Sequence, residues 1–312
     1  LREHLPSQSF KNRLIREGSM CFMEFSSMDV DRLARLGIQM DRLGPKLVAC
    51  LWDEGTELEV GGYLVVDNLA MGRPSMGGIR MLPELTPIDG FNLARGMTLK
   101  NAAANLPYGG GKACILTNPD QDDPTHTEVV RRFARLLYRY RDIFLPGPDV
   151  GTNDADMKTI AIENGLDNAL SKPSEMGGSR IDVLGAAGGG LAIAIDELLK
   201  ELPRLQALPQ FANLEVPEPG NLTVLLQGFG SVGAHAARFL NERMPAARIT
   251  GVSDASGYIF DEKGLPVDEL FKLWRKHHVV AEPYFEARRR LAPGQRLTKY
   301  SNAPDDLLRE SA

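Results

Sequence analysis

The chain has 312 residues, of which 43% are hydrophobic and 25% are charged, and its formal net charge is −5. This composition excludes a mostly disordered chain, and the length is enough for two domains of ordinary size. The acidic balance argues against nucleic-acid binding through a general cationic surface.

Hydrophobic runs are short and cysteines are few. The longest apolar runs, such as residues 222–226, fall far short of the roughly 20 residues that cross a bilayer, and the N-terminal residues match no targeting pattern. The three cysteines, at positions 21, 50 and 114, fit neither a disulfide framework nor a zinc ribbon. We therefore expect a cytoplasmic protein with reduced thiols, no membrane contact and no metal site.

The first part of the chain is predicted to mix helices and strands. Its first ~45 residues are predicted to be partly helical, with an amphipathic segment over residues 28–36. Residues 58–68 are rich in β formers and predict a strand, which a Gly/Pro-rich turn follows. An amphipathic helix is predicted from Pro87 to about Asn105, which brings Lys100 close to its C-terminal end.

Glycine-rich segments adjoin two further candidate strands. Residues 109–111 are predicted to form a turn that enters a strand over residues 113–116, with Lys112 at the junction. A basic amphipathic helix is predicted over residues 125–140, and its arginines are interpreted as a solvated face. After a short strand, the stiff turn from Pro146 to Gly151 carries Asp149.

A second part begins after a glycine-interrupted segment at residues 171–190. A helix over residues 191–201 is followed by a strand at 222–227, a helix at 231–243 and a strand at 248–252, which together predict a βαβ unit. We therefore predict an α/β protein with two domains, at residues 1–184 and 185–312, of which the second has the βαβ organisation of a Rossmann-type domain. Because the chain starts with Leu1 and ends at Ala312 inside a helix predicted from Pro304, we expect it to be a fragment.

The segment that follows the strand at 222–227 and begins the helix at 231–243 carries a nucleotide-binding pattern. Its residues are Gly228, Phe229, Gly230, Ser231, Val232 and Gly233, which satisfy G-x-G-x-x-G. The first glycine permits a tight turn, the second lets the backbone approach a pyrophosphate, and the third lets the helix pack closely. Asp254 follows by about 20 residues, where a carboxylate can accept hydrogen bonds from a ribose hydroxyl. The pattern predicts NAD binding, with NADP possible; the alternative is a structural glycine turn.

Three ionisable residues, Lys100, Lys112 and Asp149, each fall at the end of a predicted element. Two ammonium groups in one desolvated cleft repel each other, which makes a lysine suitable for polarising a carbonyl or activating water. A carboxylate beside them could move a proton to and from an amine. The alternative for each residue is an ordinary surface or salt-bridged side chain.

Four segments, in this order, resemble the glutamate/leucine/phenylalanine/valine dehydrogenases: GGIRM at 77–81, GMTLKNAAA at 96–104, LPYGGGK at 106–112 and PDVGT at 148–152. With the nucleotide-binding pattern, the resemblance covers residues 58–312. It implies that Lys100 binds the substrate α-carboxylate, that Lys112 and Asp149 are the catalytic lysine and acid/base, and that Gly77 and Gly78 line the pocket. The implied reaction is reversible NAD(P)-dependent deamination of an L-amino acid to a 2-oxo acid and ammonia, in a homo-oligomer. The resemblance also implies that residues 1–184 form a substrate-binding and oligomerisation domain with a mixed sheet. Because family members continue beyond the equivalent of Ala312, it implies that the Rossmann-type domain at residues 185–312 is incomplete.

Two residues depart from the family pattern. Met76 occupies the position at which glutamate-specific members of the family have a lysine that binds the side-chain carboxylate of the substrate. A methionine cannot form an ion pair with that carboxylate. We therefore predict a non-acidic substrate such as leucine or valine, with glutamate as the alternative because residues 227–233 and 252–257 look more like the glutamate branch. Ala187 replaces a threonine that contacts the nicotinamide in the family, which leaves open a catalytically impaired relative that binds dinucleotide or partner subunits.

Overall fold

A computed structural model describes residues 12–179, 181–291 and 298–310. The chain divides into two compact units, with the boundary between residues 180 and 181. A seven-stranded sheet organises the first unit and a four-stranded sheet organises the second. Within the described ranges, every helix is too short or too polar to cross a bilayer.

The first unit contains a mixed sheet. Its strands are β1 (Leu14–Glu17), β2 (Met20–Ser26), β3 (Leu47–Asp53), β4 (Gly61–Asn68), β5 (Ser75–Met81), β6 (Gly109–Ile115) and β7 (Phe144–Pro148). Their order is β1-β2-β3-β4-β6-β5-β7. Strands β1 to β4 and β6 pair antiparallel, whereas β5 pairs parallel with both β6 and β7. The prediction of an α/β unit with a mixed sheet is confirmed.

Helices cover both faces of this sheet. They are α1 (Val30–Arg35), α2 (Pro87–Ala103), α3 (Asp123–Tyr138) and α4 (Asp154–Asn164). One core packs α3 and α4 against strand residues such as Leu64, and the other packs α1 and α2 against strand residues such as Tyr63. Neighbouring residues of one strand enter opposite cores because strand side chains alternate between faces. The three cysteines are buried.

The glycine-rich segments correct one sequence prediction. Residues 109–111, predicted as a turn, form the first half of β6. Residues 77–81, for which the sequence predicted no element, form most of β5. The glycines are needed for close contact: a Cβ on Gly110 would lie 2.2 Å from the backbone nitrogen of Thr98 on α2. Helix α2 is therefore in backbone contact with β6.

The N-terminal segment is a further correction, since the described residues before α1 form strands β1 and β2 rather than helix. Strand β2 obtains its hydrogen bonds from β1 and β3. Strand β1 is joined to β2 by a tight turn, and β3 lies about 20 residues further along the chain. The local hydrophobic pattern does not reveal such pairings. The helix predicted from Pro304 is a single 3₁₀ segment, Pro304–Arg309.

The second unit contains the predicted βαβ arrangement. Its elements are α5 (Ile181–Leu184), α6 (Ala186–Leu205), β8 (Thr223–Leu226), α7 (Ser231–Arg243), β9 (Arg248–Asp254), β10 (Gly257–Phe260), α8 (Val267–His277), α9 (Ala281–Leu291) and β11 (Lys299–Ser301). Strands β8 and β9 are parallel neighbours connected through α7, while β10 and β11 add antiparallel strands. The glycines at 188–190 lie inside α6, where Gly188 makes room for α7.

The contact between α2 and β6 generates a stability prediction. Gly110→Ala forces the α2 backbone away from β6, so we expect the free energy of unfolding in urea to fall by about 1–3 kcal/mol. Gly96→Ala is the matched control, because Gly96 lies inside α2 with open space around its missing Cβ. This control should gain about 0.5–1 kcal/mol from helix propensity. Equal effects of the two substitutions would contradict the close contact.

Candidate active site

Lys112 and Asp149 form an ion pair in the first unit. Lys112 lies on β6 and is buried, and its Nζ is 2.7 Å from Oδ2 of Asp149, the residue directly after β7. Strand β5 lies between β6 and β7 in the sheet. The lysine side chain must therefore cross one complete strand to reach the carboxylate.

Gly78 on β5 makes this crossing possible. A Cβ at residue 78 would lie 2.7 Å from the Cβ of Asp149 and 3.1 Å from Nζ of Lys112. Its neighbour Gly77 has a different role, because a Cβ there would lie 1.7 Å from the carbonyl oxygen of Gly111 on β6. Of the two predicted pocket glycines, Gly78 therefore adjoins the ion pair, whereas Gly77 allows β5 and β6 to pack.

Arg80 is a second cation on the same carboxylate. Its Nε donates a hydrogen bond of 2.8 Å to Oδ2 of Asp149, the oxygen that also contacts Lys112. Burial opposes ionisation of Asp149, but the hydrogen bonds from Arg80 and Lys112 outweigh it and hold the pKa of this carboxyl below its ordinary value. The carboxylate is therefore ionised and oriented at neutral pH.

Thr152 fixes the backbone of Asp149. Its hydroxyl accepts a hydrogen bond of 2.9 Å from the Asp149 nitrogen and donates one of 2.7 Å to the Ile79 carbonyl. Gly151 between them has a positive φ of 80°, and a Cβ there would lie 2.2 Å from the Met81 carbonyl oxygen. The turn after β7 is thus held directly on β5.

Sequence reasoning included Arg80 and Thr152 in the family-like segments but assigned neither a role. The available signal was the position of Arg80 two residues after Gly78, which puts both residues on one face of a strand. Only the sheet order reveals that this face adjoins Asp149.

Lys100 and Met76 lie near these elements but outside the ion-pair cluster. Lys100 is exposed in the last turn of α2, and its ammonium group forms no ion pair with any residue of the described ranges. The adjacent Asn101 is buried and donates a hydrogen bond of 2.7 Å to the Gly109 carbonyl, which holds this end of α2 on β6. Met76 is partly buried on β5, opposite Gly110. Lys100 is thus available to an external anion.

In the second unit, the glycine-rich loop connects β8 to α7 as the sequence predicts. Gly228 has a positive φ of 93°, and a Cβ on Gly233 would lie 2.0 Å from the Gly228 carbonyl oxygen. Ser231 and Val232 are exposed in the first turn of α7. A cavity of about 410 Å³ adjoins the loop. Its lining includes Gln227, Gly228, Phe229, Gly230, Ser253 and Asp254. The loop and the helix N-terminus fit a dinucleotide pyrophosphate.

Two of the predicted cofactor residues, Phe229 and Asp254, have structural contacts within the chain. The Phe229 side chain is fully buried in the core of the second unit, so only its backbone faces the loop. Asp254 lines the cavity, but both of its carboxylate oxygens accept hydrogen bonds from the chain. Oδ1 accepts from the nitrogen and hydroxyl of Ser256, and Oδ2 accepts from the nitrogens of Val280 and Ala281. Asp254 therefore caps α9, and a ribose hydroxyl would compete with these donors.

Within the described ranges, no group of three or more His, Cys, Asp or Glu side chains is arranged to hold a metal ion.

Comparisons with known proteins identify both units. Residues 48–164 match the family model "Glu/Leu/Phe/Val dehydrogenase, dimerisation domain", and residues 177–304 match "Glutamate/Leucine/Phenylalanine/Valine dehydrogenase". The chain is 30% identical to NADP-specific glutamate dehydrogenase of Saccharolobus shibatae, covering 80% of this chain and 57% of that protein. It is 33% identical to NAD-specific glutamate dehydrogenase of Staphylococcus aureus, covering 70% and 51%. The chain thus spans about half the length of these curated relatives.

Two solved structures of glutamate dehydrogenases align with the chain. Hetero-hexameric glutamate dehydrogenase from Thermus thermophilus, in its Leu-bound form, aligns with a TM-score of 0.60 and 28% identity, covering 76% of this chain and 56% of that one. Glutamate dehydrogenase from Peptoniphilus asaccharolyticus aligns with a TM-score of 0.56 and 25% identity, covering 73% and 58%. Together with both family models, these structures support the two-domain architecture, a substrate domain followed by a Rossmann-type domain.

The hydrogen bonds of Asp254 predict that its carboxylate stabilises the fold by capping α9. Asp254→Ala removes the acceptor for two backbone nitrogens at the start of α9, so we expect a loss of about 1–2 kcal/mol in unfolding free energy. Asp305→Ala is the control, because Asp305 lines the same cavity but accepts only a 3.3 Å hydrogen bond from exposed Gln227. Unchanged stability with a tenfold weaker affinity for NAD⁺ in Asp254→Ala, measured by calorimetry, would assign the carboxylate to the cofactor instead.

Proposed function

This chain belongs to the glutamate/leucine/phenylalanine/valine dehydrogenase family, and we propose that it acts in the reversible NAD(P)-dependent deamination of an L-amino acid to a 2-oxo acid and ammonia. The observation that carries the proposal is the ion pair between the buried Lys112 and the partly buried Asp149, beside the gap at Gly78. A buried lysine and carboxylate in contact suit a reaction that moves protons at nitrogen and oxygen.

Three ionisable residues of the first unit, Lys112, Asp149 and Lys100, each have a task in this proposal. The ammonium of Lys112 stabilises the oxyanion that develops when water adds to the imine, because a fixed charge is most effective where solvent is excluded. Asp149 moves the proton of the substrate amine. Lys100, exposed and without an ion-pair partner in the described part of the chain, binds the α-carboxylate and orients the substrate.

The second unit would hold the dinucleotide. The backbone of Gly228, Gly230 and Gly233 and the N-terminus of α7 would bind the pyrophosphate, and the bound nicotinamide supplies the hydride acceptor. Because Asp254 is hydrogen-bonded within the chain, its carboxylate gives no basis for preferring NAD to NADP. The names of the relatives, NAD-specific and NADP-specific, support either cofactor.

Glutamate is the substrate that the relatives favour. The matched curated relatives are named glutamate dehydrogenases, so they do not support the leucine or valine preference predicted from Met76. The Thermus thermophilus structure was solved with leucine bound and is named a glutamate dehydrogenase, so bound leucine does not identify the substrate. We therefore propose glutamate, with Met76 giving its side-chain carboxylate no ionic partner.

Assembly and location are also part of the proposal. The model that matches residues 48–164 is described as a dimerisation domain, and the Thermus thermophilus enzyme is hetero-hexameric. Both support an oligomer, and a homo-oligomer in the cytoplasm stays a prediction.

The alternative is a relative that binds dinucleotide or partner subunits without turnover. Ala187, exposed in the first turn of α6, favours it because this residue lacks the hydroxyl that the family pattern provides for the nicotinamide.

A substrate panel separates these proposals. Nicotinamide reduction is followed by absorbance with NAD⁺ and NADP⁺ against glutamate, leucine and valine, for the wild-type chain and Lys112→Ala. We expect glutamate to be deaminated fastest and Lys112→Ala to lose about a thousandfold or more in kcat.

Met76→Lys should lower the KM for glutamate about tenfold or more by supplying an ionic partner, while Met76→Leu should not. Dinucleotide binding without turnover of any amino acid would favour the non-catalytic alternative.

The gap at Gly78 generates a separate prediction. Gly78→Ala displaces Asp149 from Lys112, so we expect kcat to fall about a hundredfold or more with the fold retained. Gly96→Ala introduces the same methyl group into open space and should retain full kcat. Full activity of Gly78→Ala would show that the reaction does not need the contact between Lys112 and Asp149.

A further inference from the structure

Arg80 has no task in the reaction proposed above, yet its guanidinium contacts the same carboxylate oxygen as Lys112. We propose that Arg80 is a positioning residue: together with Lys112 it occupies Oδ2 of Asp149 and leaves Oδ1 as the oxygen that exchanges a proton with the substrate amine. This assignment rests on the proposed deamination.

The distribution of hydrogen bonds on the carboxylate is unequal. Oδ2 is 2.8 Å from Nε of Arg80 and 2.7 Å from Nζ of Lys112, whereas Oδ1 accepts no hydrogen bond from any residue in the described ranges. A carboxylate oxygen with two cationic donors has both lone pairs engaged. A proton added to Oδ2 would displace one donor, so the open oxygen Oδ1 is the site of transfer. In that step an N–H bond of the substrate breaks and an Oδ1–H bond forms, without redox change.

Arginine suits this task better than a second lysine. Its Nε belongs to a planar guanidinium group, so a short bond to Oδ2 restricts rotation of the carboxylate, whereas an ammonium is a freely rotating point charge. The backbone of Asp149 is already held by the hydroxyl of Thr152. Thr152 and Arg80 therefore restrain the two ends of the Asp149 residue, which sets the direction of Oδ1.

Among the described residues, the cations in contact with Asp149 are Arg80 on β5 and Lys112 on β6. The Cys114 thiol on β6 is near enough to interact electrostatically with Asp149. Burial raises the pKa of the Cys114 thiol to about 12, so it is neutral near pH 7. Without Arg80, Lys112 would be the cation left in contact with Asp149 to oppose the effect of burial, which disfavours the ionised carboxylate. The pKa of Asp149 should therefore rise. Because the ionised carboxylate accepts the proton during deamination, the acidic limb of the rate profile should move to higher pH.

Arg80→Met and Arg80→Lys in the full chain test the assignment. For Arg80→Met we expect kcat to fall about ten- to a hundredfold, while the KM for the amino acid changes less than about threefold. In the pH profile of kcat, we expect the acidic limb to move to higher pH by about one unit. Arg80→Lys should return the limb toward its wild-type position while recovering only part of kcat, because lysine restores the charge without the planar group. Arg135→Met, which breaks an exposed ion pair with Glu163, is the control and should change nothing.

A direct titration makes the assignment independent of turnover. The carboxyl carbon of Asp149 is followed by NMR in ¹³C-aspartate-labelled wild-type chain, Arg80→Met and Arg80→Lys, with Asp149→Asn to assign the resonance. An unmoved titration midpoint in Arg80→Met overturns the assignment, as does a raised KM with unchanged kcat, which would place Arg80 on the substrate. A wild-type chain that deaminates no amino acid contradicts the proposed function instead. If Arg80→Met fails to fold, Arg80→Gln, which also removes the positive charge, takes its place in the same comparisons.

Discussion

The ion pair between Lys112 and Asp149 is the interaction on which the site depends. Placing a charged side chain in a protein interior costs several kcal/mol, which a single partner repays only with good geometry. Here the two charges come from strands that are not neighbours, so they meet only because Gly78 on the intervening strand has no side chain. Arg80 adds a second donor and keeps the carboxylate ionised despite its burial. The arrangement is better explained by chemistry than by stability.

The same requirement for close approach explains the glycine content of the first unit. At Gly110 the missing side chain lets α2 contact β6, at Gly77 it lets two strands pack, and at Gly151 it permits the turn that carries Asp149. A helix in contact with the strand that bears Lys112 also fixes the position of Lys100 at its end. The glycine-rich segments therefore position the cations of the site.

In the second unit, residues of the nucleotide-binding pattern differ in what surrounds them. The glycines form the open loop, whereas Phe229 anchors that loop in the core and Asp254 caps α9. A carboxylate at the expected position of the pattern is therefore not sufficient for ribose binding, because local backbone donors can claim it first. Met76 raises a similar point in the first unit: the relatives favour glutamate although this residue offers no charge.

The sequence by itself determined the α/β class and the βαβ unit, which follow from local periodicity. It also determined the family, and with it the expectation of a mixed sheet, from motifs whose spacing is visible in one dimension. It also singled out Lys112 and Asp149, through their resemblance to family positions. Only the tertiary structure decided that β5 lies between the strands carrying these residues, that Gly78 forms the gap, that Arg80 shares the oxygen Oδ2, and that residues 109–111 are strand. The physical reason is that sheet order and backbone contacts are non-local, so a residue's partners depend on segments far away in the chain.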